Sequence, residues 1–313
     1  MDFLSPSAIP PPITPPFERE SFVPGVDGTR LYVRAYDRPE HGDGPNVRGF
    51  FTDGIGCDGF IWKRSWERIA ESLSLTHWNY RGHGRSAPPT DADRLSIEDC
   101  AEDLERVIRA EPEQPNVLFG HSMGVQVALE HYRKYPGSTR ALVLICGSYG
   151  KVTHTVRGMP ILEYILPSLT RFVEKYPEVV RAVWPRIPHE TALRMALKLG
   201  DLDPDNARIE DIVPYMTHMA SVDIAMFLRM LKFAGEHTAE SYLEEVHVPT
   251  LVIAGERDTF TPAWLSTSMA HRIPDAELLM VPGGSHAAPL EQPDLVHDAI
   301  MKFLRDRVGI GKS

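Results

Sequence analysis

The sequence predicts an α/β protein: a mostly parallel, eight-stranded sheet flanked by helices, with an inserted all-helical segment. Three observations carry this expectation. Eight short apolar runs read as strands, and most of them alternate with amphipathic stretches, as in a parallel sheet covered on both faces. Residues 150–245 break that rhythm, with prolines punctuating helix-like stretches and no convincing strand. A length of 313 residues suits one large α/β domain with an insertion, or two domains. The division expected is an arm over 1–19, a core over 20–149 and 246–313, and a helical cap over 150–245.

Taken in order, "SPSAIPPPITPP" (5–16) is proline-rich and reads as an extended, loosely packed arm. "ESFVPG" and "TRLYVRAYD" are strand candidates joined by a turn at Asp27-Gly28, a hairpin signal. "VRGFFTDG" is a strand, "FIWKRSWERIAESL" a helix and "SLTHWNYRG" a strand. "SIEDCAEDLERVIRA" is a helix with Ser96 as N-cap and Asp99 three residues on. "NVLFG" is a strand, and "MGVQVALEHYRKYP" a helix ended by Pro136-Gly137. "RALVLICGS", "TLVIAG" and "AELLMVPGG" complete the strands. The insertion supplies three helix candidates, "ILEYILPSLTRFVEKY", "HETALRMALKLG" and "MASVDIAMFLRMLKFAG".

Hydrophobic residues make up 42% and charged residues 24%, the balance of an ordinary globular protein. A net charge of −10 repels phosphate, so neither nucleic acid nor an anionic membrane is an expected partner. Cys57, Cys100 and Cys146 are widely spaced and form no C-x-x-C pair, which argues against a disulfide framework or a metal site. No apolar run is long enough to span a membrane, and the N-terminus does not resemble a signal peptide. A cytoplasmic protein is expected, with a homodimer left open.

The strongest chemical signal is "NVLFGHSMGVQVAL". Gly120-His121-Ser122-Met123-Gly124 follows a strand and opens a helix. That turn is so sharp that the residues two before and two after the serine must be small. A serine hydroxyl needs a base beside it. On this architecture the order is serine, acid, histidine. Asp258 follows a strand in "TLVIAGERDTFTP", and His286 follows another in "LLMVPGGSHAAPLEQP". Both are expected at the same sheet edge as Ser122. Glu256 is the rival acid.

A competing pattern lies in "FFTDGIGCDGF", where Gly54, Gly56 and Gly59 match G-x-G-x-x-G. A dinucleotide site needs a carboxylate about 20 residues on, at the end of the next strand. Asn79 stands there, and the turn follows the third strand candidate rather than the first. NAD or FAD is therefore not expected; no cofactor and no metal are.

The motifs "GHSMG", "GERDTFTP", "GGSHAAPLEQP" and "NYRGHGRS", in that family's arrangement, resemble the α/β-hydrolase superfamily over about residues 20 to 308. The resemblance implies that the glycine-rich loop is half of an oxyanion hole, with the backbone N–H groups of Ile55 and Met123 as donors. It implies a cofactor-independent serine hydrolase acting on a small carboxylic ester, lactone or thioester with an apolar acyl group. Acyl transfer, C–C bond hydrolysis or a non-catalytic ligand receptor are the alternatives on the same scaffold. The family usually has His-Gly where this chain has Asp53-Gly54. Asp53 is expected to accept backbone hydrogen bonds that hold the loop and to point away from Ser122. Cys57 is expected to be a small buried apolar residue. The pocket is expected to involve Asp53, Gly54 and His121, with Met219, Met226, Phe227 and Met230 from the apolar helix of the insertion.

Overall fold

A computed structural model describes residues 18–38, 46–186, 194, 196–198 and 200–310. The proline-rich stretch and most of "HETALRMALKLG" lie outside the described residues.

The chain opens with β1 (Glu18–Pro24) and β2 (Arg30–Tyr36), an antiparallel hairpin. β1 starts inside the stretch expected to belong to the arm. Gly28 turns the hairpin at φ 83°, and Asp27 Oδ1 accepts from the Thr29 N–H at 3.0 Å. β3 (Arg48–Thr52) leads into the glycine-rich loop. The helix expected over "FIWKRSWERIAESL" is a 3₁₀ turn, Phe60–Trp62, and a short helix α1 (Trp66–Ala70). Gly59 at φ 100° opens the turn, and the chain buries Ile61, Trp62 and Trp66.

β4 (Ser74–Trp78), α2 (Ile97–Arg109), β5 (Asn116–His121), α3 (Met123–Lys134) and β6 (Thr139–Ile145) follow. The cap of α2 forms as expected: Ser96 Oγ accepts from the Asp99 N–H, and Asp99 returns a bond to the Ser96 N–H. Among the described residues, the helical insertion includes α4 (Val152–Thr155), α5 (Ile161–Lys175), α6 (Pro177–Val183), α7 (Ile209–Ser221) and α8 (Ile224–Glu236). One helix was expected over "MASVDIAMFLRMLKFAG"; two are present. Asp223 caps the second by accepting from the Met226 N–H at 2.9 Å, while Val222 is extended. β7 (Thr250–Gly255), α9 (Ala263–Arg272), β8 (Ala276–Val281), α10 (Ala288–Glu291) and α11 (Pro293–Phe303) complete the core.

The eight strands form one sheet in the order β1-β2-β4-β3-β5-β6-β7-β8. β1 and β2 pair antiparallel with each other, β2 pairs antiparallel with β4, and every later pairing is parallel. Apolar clusters cover both faces: Phe51, Trp62, Phe119 and Val143 on one, Phe50, Trp78, Leu118 and Leu144 on the other. That alternation along β3 and β5 is the period of two that a doubly covered strand requires. Among the described residues, no helix is long and apolar enough to cross a membrane.

Candidate active site

Ser122 sits between β5 and α3 with φ 54° and ψ −118°, a strained conformation for a residue with a side chain. The packing explains both glycines. A Cβ at Gly120 would lie 2.4 Å from the Gly124 carbonyl oxygen, and one at Gly124 would lie 2.3 Å from that of Thr52. A serine at a helix N-cap ordinarily spends its hydroxyl on the first turn. Here it makes no such bond, and Ser122 borders a half-open cavity instead.

The acid and histidine loops leave β7 and β8 and meet at the same edge. His286 Nδ1 lies 2.8 Å from Asp258 Oδ2. The Asp258 carboxylate is buried and fully engaged: Oδ1 accepts from the N–H groups of Phe260 and Thr261, each at 2.9 Å. The Thr261 hydroxyl lies 2.8 Å from Oδ2 and 2.9 Å from the Cys146 carbonyl. The Thr261 hydroxyl, which no local sequence pattern marks, thus ties the acid loop to the end of β6. Glu256 turns outward, its Oε2 accepting from the Gly283 N–H at 2.8 Å.

Glu291 is a second residue missed. It is buried, and its carboxylate accepts from the Ser285 N–H at 2.8 Å, the Ser285 hydroxyl at 2.6 Å and the Asp203 N–H at 2.8 Å. It thereby fixes the residue before His286 and reaches into the insertion. Its signal was the glutamate of "GGSHAAPLEQP". The acid loop is gripped similarly. The Arg157 N–H donates to the Thr259 carbonyl at 2.6 Å, and the Thr259 hydroxyl donates to Asp201 Oδ1 at 2.6 Å.

Asp53 accepts side-chain rather than backbone hydrogen bonds. Trp62 Nε1 donates to its Oδ1 at 2.7 Å, and His77 Nε2 lies 2.8 Å from Oδ2. All three side chains are buried, and the Tyr80 hydroxyl donates to the Asp53 carbonyl at 2.8 Å. These partners draw the carboxylate into the protein, and Asp53 does not border the cavity. Next to it, Gly54 is needed for space: a Cβ there would lie 2.9 Å from Ser122 Cβ. Ile55 and Met123 both border the cavity, and among the described residues neither backbone N–H donates to a protein carbonyl. The Gly56 N–H donates to His83 Nε2 at 3.0 Å, which pins the loop from the other side.

The cavity measures about 300 Å³. Ser122, His286, Gly54 and His121 border it from the core; Val156, Leu162, Ile212, Met216, Phe227 and Leu231 border it from the insertion. Phe227, Leu231 and Ala234 lie on one face of α8. Met226 and Met230, one residue out of phase, face away: Met226 packs with Leu95 and Val222, and Met230 joins the core beneath. Met219 packs over the Gly56 turn, where its sulfur would lie 2.2 Å from an added Cβ. Of the four residues expected from this segment, the structure places only Phe227 on the wall; the break at Asp223 and the one-residue phase difference account for the rest.

Burial sets the protonation of the neighbouring histidines. The pKa of His121 falls to about 4, first from burial and then from repulsion by the His286 ring, against the opposing pull of the His286 carbonyl, 3.0 Å from His121 Nε2. That of His83 also falls to about 4, again from burial. Both are neutral at pH 7. The Cys57 thiol is pushed upward by burial and by nearby Asp53, so it remains a thiol. Among the described residues, no group of three or more His, Cys, Asp or Glu side chains is arranged to hold a metal ion.

Known proteins agree with this architecture. The chain is 26% identical to a candidate carbamate hydrolase, RutD, of Azorhizobium caulinodans, over 84% of this chain and 92% of that one. It superimposes on the enol-lactonase of Burkholderia xenovorans LB400 with a TM-score of 0.72, at 19% identity, over 91% of this chain and 100% of that one. The esterase EaEST of Exiguobacterium antarcticum also gives 0.72, at 17% identity, over 92% and 100%. The family described as "Serine aminopeptidase, S33" matches over residues 70–293. The chain belongs to that family of α/β hydrolases.

Proposed function

We propose that the chain is a cofactor-independent serine hydrolase that cleaves a carboxylic ester, lactone or thioester with an apolar acyl group. The observation that carries the reading is His286, bonded to buried Asp258 at 2.8 Å and bordering the same apolar cavity as a serine held in a strained strand-to-helix turn. Ser122 Oγ attacks the substrate carbonyl. His286 Nε2 takes its proton and later returns it to the leaving alcohol or thiol. Asp258, bonded to Nδ1, holds the imidazole tautomer and stabilises the imidazolium. The N–H groups of Ile55 and Met123 stabilise the oxyanion, a term worth about 3 kcal/mol per donor. Water then resolves the acyl-enzyme through the same histidine. The helices of residues 150–245 act as a cap, closing the acyl pocket with Leu162, Ile212 and Phe227.

The family description names an aminopeptidase. Recognition of a free α-ammonium would require an available carboxylate on the cavity wall. Among the described residues the one carboxylate there is Asp201, already engaged by Arg157 and the Thr259 hydroxyl. The apolar remainder favours an acyl chain. The enol-lactonase and the esterase among the similar structures fit that choice. Ser122→Ala is expected to abolish labelling by a fluorophosphonate probe and turnover of p-nitrophenyl acyl esters, without loss of folding. Undiminished labelling in this variant would falsify the assignment of Ser122.

A further inference from the structure

α5 and α6 are apolar on two sides. Leu166, Val173 and Val180, spaced every seven residues, pack inward with Ile224 and Leu228. On the outward side stand Ile165, Leu169, Phe172, Tyr176, Val179 and Val183, spaced alternately by four and three. None of these six is covered: Leu169 is 39% exposed and Val183 57%. The break between the helices falls at Tyr176, whose ring lies 5.3 Å from that of Phe172, so the apolar surface of α5 extends to the joint with α6.

On α5, the spacing of Ile165, Leu169 and Phe172 by four and three is that of a seam along which two helices pack, and Val179 and Val183 add exposed apolar surface on α6. We propose that this stripe is the interface of a homodimer, in which the α5–α6 face of one copy packs antiparallel on the same face of a second. A two-fold axis beside the Phe172–Tyr176 contact sets Phe172 against the second copy's Tyr176, Leu169 against its Val179 and Ile165 against its Val183. Such a pairing is isologous and closes at two copies.

Area and charge support a second copy over other occupants. Six half-exposed side chains of this size present roughly 500 Å² per copy, so a dimer removes about 1,000 Å² from water before its rim is counted, the size at which specific interfaces begin. The flanks carry Glu163, Glu174 and Glu178 against Arg171, Lys175 and Arg181, so their charges cancel. A helix that docks on a bilayer instead carries an excess of Lys and Arg on its polar side. Leu162, on the same α5, borders the cavity. The dimer would therefore brace a helix of the cavity wall, although the proposal holds whatever the substrate.

Sedimentation velocity of the full chain, from about 1 to 200 μM, is expected to show a concentration-dependent dimer, the regime of an interface of this size. Phe172→Glu is expected to weaken it by about 100-fold, as for a central aromatic of an interface. Leu169→Ser, milder for folding, is expected to weaken it by about tenfold, with circular dichroism and short-ester turnover retained. A monomer at every concentration, or a dimer that neither substitution weakens, overturns the proposal. So does a monomer that floats with phosphatidylcholine vesicles only while the stripe is intact.

Discussion

β5 buries every residue and β6 all but Arg140, whereas α5 and α6 leave much of their apolar surface in contact with solvent. The polar contacts differ as well. Around β3, β4, β7 and β8, charged and polar side chains find specific partners: Asp53 has Trp62 and His77, Asp258 has His286 and Thr261, Glu291 has Ser285. The insertion contributes mainly aliphatic and aromatic side chains to the cavity, which fill space without fixing an orientation. One region fixes the side chains of the candidate site through paired hydrogen bonds; the other shapes the room around them. On this comparison chemistry and selectivity are separable, and substitutions in the two regions should have different kinetic signatures.

The largest effect should come from the core. Asp258→Asn keeps the shape but loses the acceptor that selects the His286 tautomer; kcat for a short ester is expected to fall by about 10⁴ with KM little changed. An equal loss from truncating a residue of the insertion would break the comparison. Next is Asp53→Ala, which strands the buried Trp62 indole and His77 and is expected to cost about 3–5 kcal/mol in urea unfolding, with the loop disturbed as a consequence. A change below about 1 kcal/mol would show that the Asp53 cluster is dispensable. The smallest effect is expected from Phe227→Ala on the cavity wall. It should shift the kcat/KM preference toward longer acyl chains by about 10-fold while leaving kcat for acetate esters within about twofold. A general loss of kcat would place Phe227 in the chemistry rather than in the pocket.

Much of this was legible in the chain. Strands buried on both faces announce themselves as apolar runs, and the Ser96–Asp99 cap is a local pattern with a local cause. The strand-to-helix turn at Ser122 demands Gly120 and Gly124 by contact alone. Asp53 was harder. Its partners come from the following turn and from β4, where Phe51 pairs with His77, so they become visible only once the parallel register is set. The cavity wall was harder still. Whether Met226 or Phe227 faces inward turns on a single residue of helical phase, and that phase is reset by the cap at Asp223. Glu291 and Asp201 act across long stretches of chain that no local pattern connects.

The hold that Asp201 and Asp203 exert on the loops of Thr259 and Glu291 also has an order in time. Synthesis proceeds from the N-terminus, and domains generally fold as units during it. Residues 201–203 therefore emerge before Asp258 and His286. Ser122 is made earliest of all, and the two aspartates are made before the loops they grip. A chain halted before β7 would carry Ser122 and both aspartates but neither the Thr259 loop nor Glu291, the two partners that close the clasp.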